Sequence, residues 1–162
     1  MKRYVAALLM LIPSVMFSQI SSSNVSQAED FGRSVYGLGF SAGWASGIGI
    51  SFRDHLPTKV SLQAVFGIIK TSEKLSMSIG GEMQYDLVRR EATRFFGVMA
   101  LSYQYYGDDG NELQGPFRMG LGAGCELKIQ DTFHVSGEAL FTFFSDGRVI
   151  PLPQIACHYY FN

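Results

Sequence analysis

From Ser34 to the carboxyl terminus, apolar residues alternate with small or polar ones at a period of two, and turn chemistry interrupts the pattern at short intervals. A period of two belongs to β-strands whose two faces meet different surroundings. Eight segments follow: 34–44, 47–54, 59–70, 76–88, 94–106, 117–129, 133–144 and 153–162. The breaks are Ala45-Ser46, His55 to Thr58, Thr71 to Leu75, Arg89 to Thr93, Gly107 to Pro116, Gln130 to Thr132 and Ser145 to Leu152. The pattern predicts an all-β chain of eight antiparallel strands.

One face of each strand is apolar with aromatic ends. In the first segment it carries Tyr36, Leu38, Phe40, Ala42 and Trp44. In the fifth it carries Phe95, Gly97, Met99, Leu101, Tyr103 and Tyr105, and in the seventh Phe133, Val135, Gly137, Ala139, Phe141 and Phe143. Tyr159 and Phe161 continue the alternation in the last segment. At about 3.3 Å per residue and a tilt near 40°, Phe95 to Tyr103 covers roughly 20 Å along a membrane normal. An apolar band between two aromatic girdles is the outer surface of a transmembrane barrel, where the band is about 25 Å tall.

The opposite faces hold Arg53, Gln63, Glu82, Gln84, Asp86, Arg118, Glu126, Lys128, His134, Ser136, Glu138 and His158 among many glycines. A charge at the lipid-facing midplane costs about 2–4 kcal/mol for Arg or Lys. These charges are therefore expected to face inward and to pair there. Arg53, Glu82, Arg118, Glu126, Lys128 and Glu138 are the expected lumen network. No segment after the amino terminus is a continuous apolar run of about 20 residues, which a membrane helix needs. Only a closed barrel is then available for crossing, because lipid leaves no backbone group unsatisfied.

Residues 1–18 have the layout of a signal peptide: Lys2 and Arg3, an apolar run from Val5 to Ile12, then Pro13 and Ser14. Cleavage is expected after Ser18, which leaves 144 of the 162 residues and moves the formal charge from −1 to −3. That balance gives no sign of nucleic-acid binding. Residues 19–33, polar and serine-rich, read as a flexible periplasmic lead-in. Residues 34–162 are then the barrel domain.

The signal peptide, the VYGLGFSAG first strand, the GLGAGCELKI–QDT–FHVSGEALFTFF hairpin and the closing QIACHYYF resemble the small outer-membrane β-barrel superfamily, the OmpA/OmpX-like eight-stranded barrels. The resemblance covers essentially the whole mature chain. It implies an up-and-down barrel in the outer membrane of a Gram-negative envelope, with the outer-membrane lipid and the barrel insertion machinery as partners. Such barrels usually end on an aromatic residue, whereas here Asn162 follows Phe161. A soluble lipocalin-like barrel shares the strand count, but it needs an apolar interior and a polar exterior.

Chemistry-bearing motifs are sparse. His134, Ser136 and Glu138 share one face of a strand and carry the residue types of a hydrolase triad. Outer-membrane lipid A deacylases resemble this chain in size and have a His-x-Ser pair near the end. Here Gly137 stands where that family has Asn, no acid but Asp146 follows Glu138, and the pair faces inward near the periplasmic end. Lumen lining is therefore the expected role, with no catalytic residue. Gly120-Leu121-Gly122-Ala123-Gly124 lacks the helix that a phosphate-binding loop requires. Three scattered histidines and no cysteine cluster point to no metal site, and no cofactor is expected. The acidic loop from Gly107 to Gly115 lacks the spacing of a calcium loop. Cys125 and Cys157 both face outward with one strand between them, which is too far for a disulfide.

An even strand count puts both termini on the periplasmic side, with the longer connections outward. Eight strands enclose a lumen just wide enough for side chains to fill. A non-enzymatic structural or surface-interaction role is expected first, with a lipid A-modifying enzyme or a narrow channel as alternatives.

Overall fold

The computed structural model describes residues 34–71, 74–107 and 116–161. The expected signal peptide, the lead-in, the tip of the acidic loop and Asn162 lie outside the described residues. Eight strands follow one another: β1 (Val35–Gly43), β2 (Gly47–His55), β3 (Val60–Lys70), β4 (Leu75–Arg89), β5 (Thr93–Tyr106), β6 (Phe117–Lys128), β7 (Phe133–Phe144) and β8 (Val149–Phe161). Each pairs antiparallel with the next, and β8 pairs back with β1 to close the barrel.

Alternation sorts the side chains as the sequence requires. Leu38, Ile50, Leu62, Met83, Leu101 and Phe141 stand exposed on the outer wall. Arg53, Gln84, His158 and Ser136 are among the most completely buried side chains in the molecule. The register between β6 and β7 follows from their short turn: the N–H of Ile129 donates to the carbonyl of Phe133 at 3.0 Å. Lys128 then lies opposite His134, Glu126 opposite Ser136, and Gly124 opposite Glu138.

Two departures from the sequence reading have physical causes. The last strand begins at Val149, four residues before the expected start at Pro153, and runs through both Pro151 and Pro153. Proline is tolerated in a sheet only where its missing N–H would have met no partner. The N–H of Tyr160 points towards β7, donating to the carbonyl of Thr132 at 2.7 Å. Odd-numbered residues of β8 therefore address β1. Pairing with β1 stops at Ala42 opposite Ile155, so Pro151 and Pro153 sit beyond the end of the shorter strand. They blunt an edge that would otherwise invite a further strand.

The second departure is the β1–β2 connection. Trp44, read as the end of the first strand, lies in the turn with its side chain exposed, and Ala45 and Ser46 do not extend into solvent as a surface turn. Ala45 and Ser46 are buried, and Ala45 packs in a cluster with Phe96, Val98, Ala100 and Leu140. The turn folds over the mouth of the barrel and into it. Its seat exists because two positions lack a side chain: a Cβ at Gly120 would lie 2.6 Å from the Ala45 Cβ, and one at Gly80 would lie 2.3 Å from the Ser46 carbonyl oxygen.

Tight coiling of so narrow a barrel also brings backbone against backbone. A Cβ at Gly39 would fall 1.8 Å from the carbonyl oxygen of Cys157, whereas one at Gly137, on the outer wall, would meet nothing within 4 Å. Overpacking costs about 1–3 kcal/mol or more when the neighbour cannot yield, and a carbonyl in a ladder cannot. Gly39→Ala is expected to lower the urea midpoint of the detergent-folded barrel by at least that equivalent, or to prevent closure of the β1–β8 seam. Gly137→Ala is expected to leave the midpoint unchanged.

Candidate functional site

The lumen carries the densest chemistry among the described residues. Arg53 projects from β2 into its centre with no exposed surface. Its Nε donates to Gln63 Oε1 at 2.8 Å, and its Nη1 pairs with Glu126 Oε2. Weaker contacts reach the Tyr160 hydroxyl and the Ser136 hydroxyl, both at 3.4 Å. Arg94, from β5, meets the same carboxylate: its Nη2 lies 3.3 Å from Glu126 Oε2. Arg94 also pairs with Asp86 at 3.3 Å and lies 4.4 Å from the centre of the Phe96 ring. Glu126 is thus the acid shared by two buried guanidiniums from different strands.

All three histidines of the chain gather around Tyr160. Arg94 Nη1 lies 3.0 Å from His55 Nδ1, and a guanidinium can only donate, so Nδ1 accepts. In the neutral ring the proton is then on Nε2, which donates to the Tyr160 hydroxyl at 2.7 Å. His134 directs Nδ1 at Glu126 Oε1, 2.9 Å away. His158 Nε2 lies 2.8 Å from the Ser51 hydroxyl.

A second layer joins two acids through two amides. Gln84 Nε2 donates to Glu82 Oε2 at 2.8 Å and to Glu138 Oε1 at 3.1 Å. Gln154 Nε2 donates to Glu82 Oε1 at 2.6 Å and also to Glu138 Oε2. Glu138 crosses the lumen over Gly124, where an added Cβ would lie 2.6 Å from the Glu138 Cγ. Of the two arginines with reach towards Glu138, Arg53 approaches to 4.0 Å. Arg118 stands instead at the far mouth, where Nη1 donates to the Trp44 carbonyl at 3.3 Å and the guanidinium lies about 5 Å from the Trp44 and Phe144 rings.

His134, Ser136 and Glu138 share a face of β7, but their side chains do not form a relay. His134 turns to Glu126, Ser136 meets Arg53, and Glu138 is held by glutamines. Ser51 with His158 and Ser61 with His55 are closer approximations to a nucleophile and base. All four side chains are buried. Lys128, expected inward, pairs with Asp131 in the β6–β7 turn at 3.1 Å and is one-third exposed. It lies at the last residue of its strand, where a long side chain reaches water more cheaply than the lumen. Cys125 and Cys157 are free thiols on outward positions. Of the expected girdle, Tyr36, Trp44, Phe95, Tyr103, Phe141, Phe143, Tyr159 and Phe161 are exposed on the outer wall. Tyr105 and Phe133 are half-buried.

Sequence reasoning passed over Arg94, His55, Tyr160 and Gln154. Arg94, Tyr160 and Gln154 have the inward parity of their strands, which was available as a signal. Their convergence on Glu126 and Glu138 depends on contacts across the lumen, which parity does not encode.

Removing one member of a buried ion pair typically costs about 3–5 kcal/mol, because the other charge is left uncompensated. Glu126→Ala removes the acid shared by two guanidiniums, leaving Arg94 with Asp86 and Arg53 with the more distant Glu138, and is expected to fall within that range, read as the urea midpoint of the detergent-folded barrel. Lys128→Ala removes only an exposed pair and is expected to cost at most about 1 kcal/mol.

No protein-family model matches the chain, and a search of curated proteins finds no match. Among solved structures, the amino-terminal β-barrel domain of Pseudomonas aeruginosa OprF superposes with a TM-score of 0.55 at 14% identity, over 79% of this chain and 96% of that one. The outer membrane protein Ail of Yersinia pestis, determined in a phospholipid bilayer nanodisc, gives a TM-score of 0.45 at 11% identity, over 80% and 99%. At 14% identity the likeness to OprF is one of architecture, and this chain has the closed eight-stranded antiparallel barrel fold of the OprF amino-terminal domain.

Proposed function

We propose that this chain is an integral outer-membrane barrel protein with a non-enzymatic role in envelope structure or surface interaction. The observation that carries this reading is the inversion of its two faces. Leu38, Ile50, Phe66, Ile79 and Ile155 are between 49% and 64% exposed on the outer wall, while Arg53 is fully buried in the lumen. In water that arrangement leaves a wide apolar belt unburied and a charge desolvated, both unfavourable. In a bilayer the belt meets hydrocarbon and the charges pair away from it.

The rest follows from topology. In this reading residues 1–18 direct export, and the even strand count, which leaves both termini on one side, is read with both in the periplasm. Connections after odd-numbered strands then face the outside and carry any surface interaction. The Asp146–Arg148 pair in the β7–β8 connection is one such exposed element; Nε of Arg148 donates to Asp146 Oδ2 at 2.7 Å, and this contact holds the Asp146 carboxyl below its ordinary range. The filled lumen and the burial of both serine–histidine pairs favour a non-enzymatic role over lipid modification.

Folded protein is expected to migrate faster on unheated gels than after boiling, to stay with membranes through carbonate and urea washes, and to begin near Gln19. Recovery in the soluble periplasmic fraction would overturn the membrane reading. A change in the lipid A mass spectrum on expression, abolished by Ser136→Ala with folding intact, would overturn the non-enzymatic one.

A further inference from the structure

We propose that the β1–β2 turn is a hinged stopper of the barrel mouth, which swings out of its seat to admit water and small ions to the lumen beneath it. The turn is held differently from the wall. Ladder hydrogen bonds end at Gly43 and Gly47, which pair with each other, and Trp44 to Ser46 lie beyond them. What fixes them is a set of side-chain contacts from other strands. Gln104 Nε2 and Arg118 Nη1 donate to the Trp44 carbonyl at 3.1 and 3.3 Å. The Ser46 hydroxyl donates to Gln154 Oε1 at 3.3 Å; just past the turn, in β2, the N–H of Ile48 donates to the Ser78 hydroxyl at 3.0 Å. These contacts can break without opening the barrel. Glycines flank the turn on both sides, and Gly47 and Gly49 have φ of 107° and 153°, a range open to glycine and strained for other residues.

The seat itself favours exchange. Ser102 and Thr142 are at least nine-tenths buried, and their hydroxyls have no hydrogen-bond partner. They lie directly across the ladder from Gly80 and Gly120, the two glycines that make room for the turn. The closed state therefore carries two buried, unsatisfied hydroxyls at its seat, a standing cost that water entering beneath a displaced turn removes.

The test uses the full mature chain, folded in detergent, with Cys125→Ser and Cys157→Ser removing the natural thiols and Ser102→Cys reporting from the seat. A small cationic methanethiosulfonate is the probe. Slow but complete labelling is expected while the protein keeps its folded gel mobility. Gln104→Ala, which removes one donor to the Trp44 carbonyl, is expected to speed labelling about five-fold, the effect of one hydrogen bond of ordinary net strength. Thr142→Cys serves as reporter if Ser102→Cys fails to fold. Hydrogen exchange at the Ile48 amide, without any substitution, is expected to run ahead of the ladder amides of β5 and β7. Labelling that is absent, or that Gln104→Ala leaves unchanged, would overturn the proposal, as would an Ile48 amide that exchanges only with global unfolding.

Discussion

The width of an eight-stranded barrel governs everything inside it. The lumen is about as wide as the side chains that fill it, so each inward position must either vanish or reach a partner. Glycine and serine occupy the positions where backbone or a neighbouring residue comes close, as at Gly39, Gly80 and Gly120. Arginine, glutamate and glutamine occupy the positions where a long side chain has space to cross. Gly124 and Glu138 are the two halves of one such arrangement on adjacent strands: the first gives up its side chain and the second extends over it.

The charge network follows from the same narrowness. A buried carboxylate in this lumen has no water to lean on, so Glu126 collects Arg53, Arg94 and His134 at once. The pair Glu82 and Glu138 is satisfied largely by neutral amides, each glutamine giving one N–H to each acid. Two modes of satisfying buried acids thus stand one above the other. The ionic layer lies towards the end of the barrel where the chain termini meet, and the amide layer lies at mid-height. An apolar cluster with the folded-in turn closes the other end.

Much of this was legible along the chain. Alternation separated Leu38 and Phe40 from Gly37 and Gly39, and a three-residue break between Ile129 and Phe133 fixed the register of β6 on β7. Local information reaches that far because an antiparallel hairpin is a local object. It stops at contacts between strands that are not neighbours. Arg53 and Glu126 lie on β2 and β6, and nothing in their spacing says they meet. The prolines of β8 misled for a related reason: a proline ends a strand only if a partner needs its N–H, and the missing partner there is β1, more than a hundred residues away. Ala45 and Ser46 read as an ordinary turn because their burial comes from Gly80, Gly120 and Leu140 on three other strands.

Pro151 and Pro153 have a consequence for how the barrel closes. The offset between the first and last strands sets the shear of the whole cylinder, and shear decides which residues face one another across the lumen. Sliding β1 by two residues towards the prolines would keep every side chain on its proper face, so the hydrophobic pattern alone does not forbid it. That slip would place Ala42 opposite Pro153, where the ladder demands an N–H that proline lacks. The two rings therefore act as a mechanical end-stop for the closing strand. Through it, a pair of residues on the outer wall selects which arginine finds which glutamate inside.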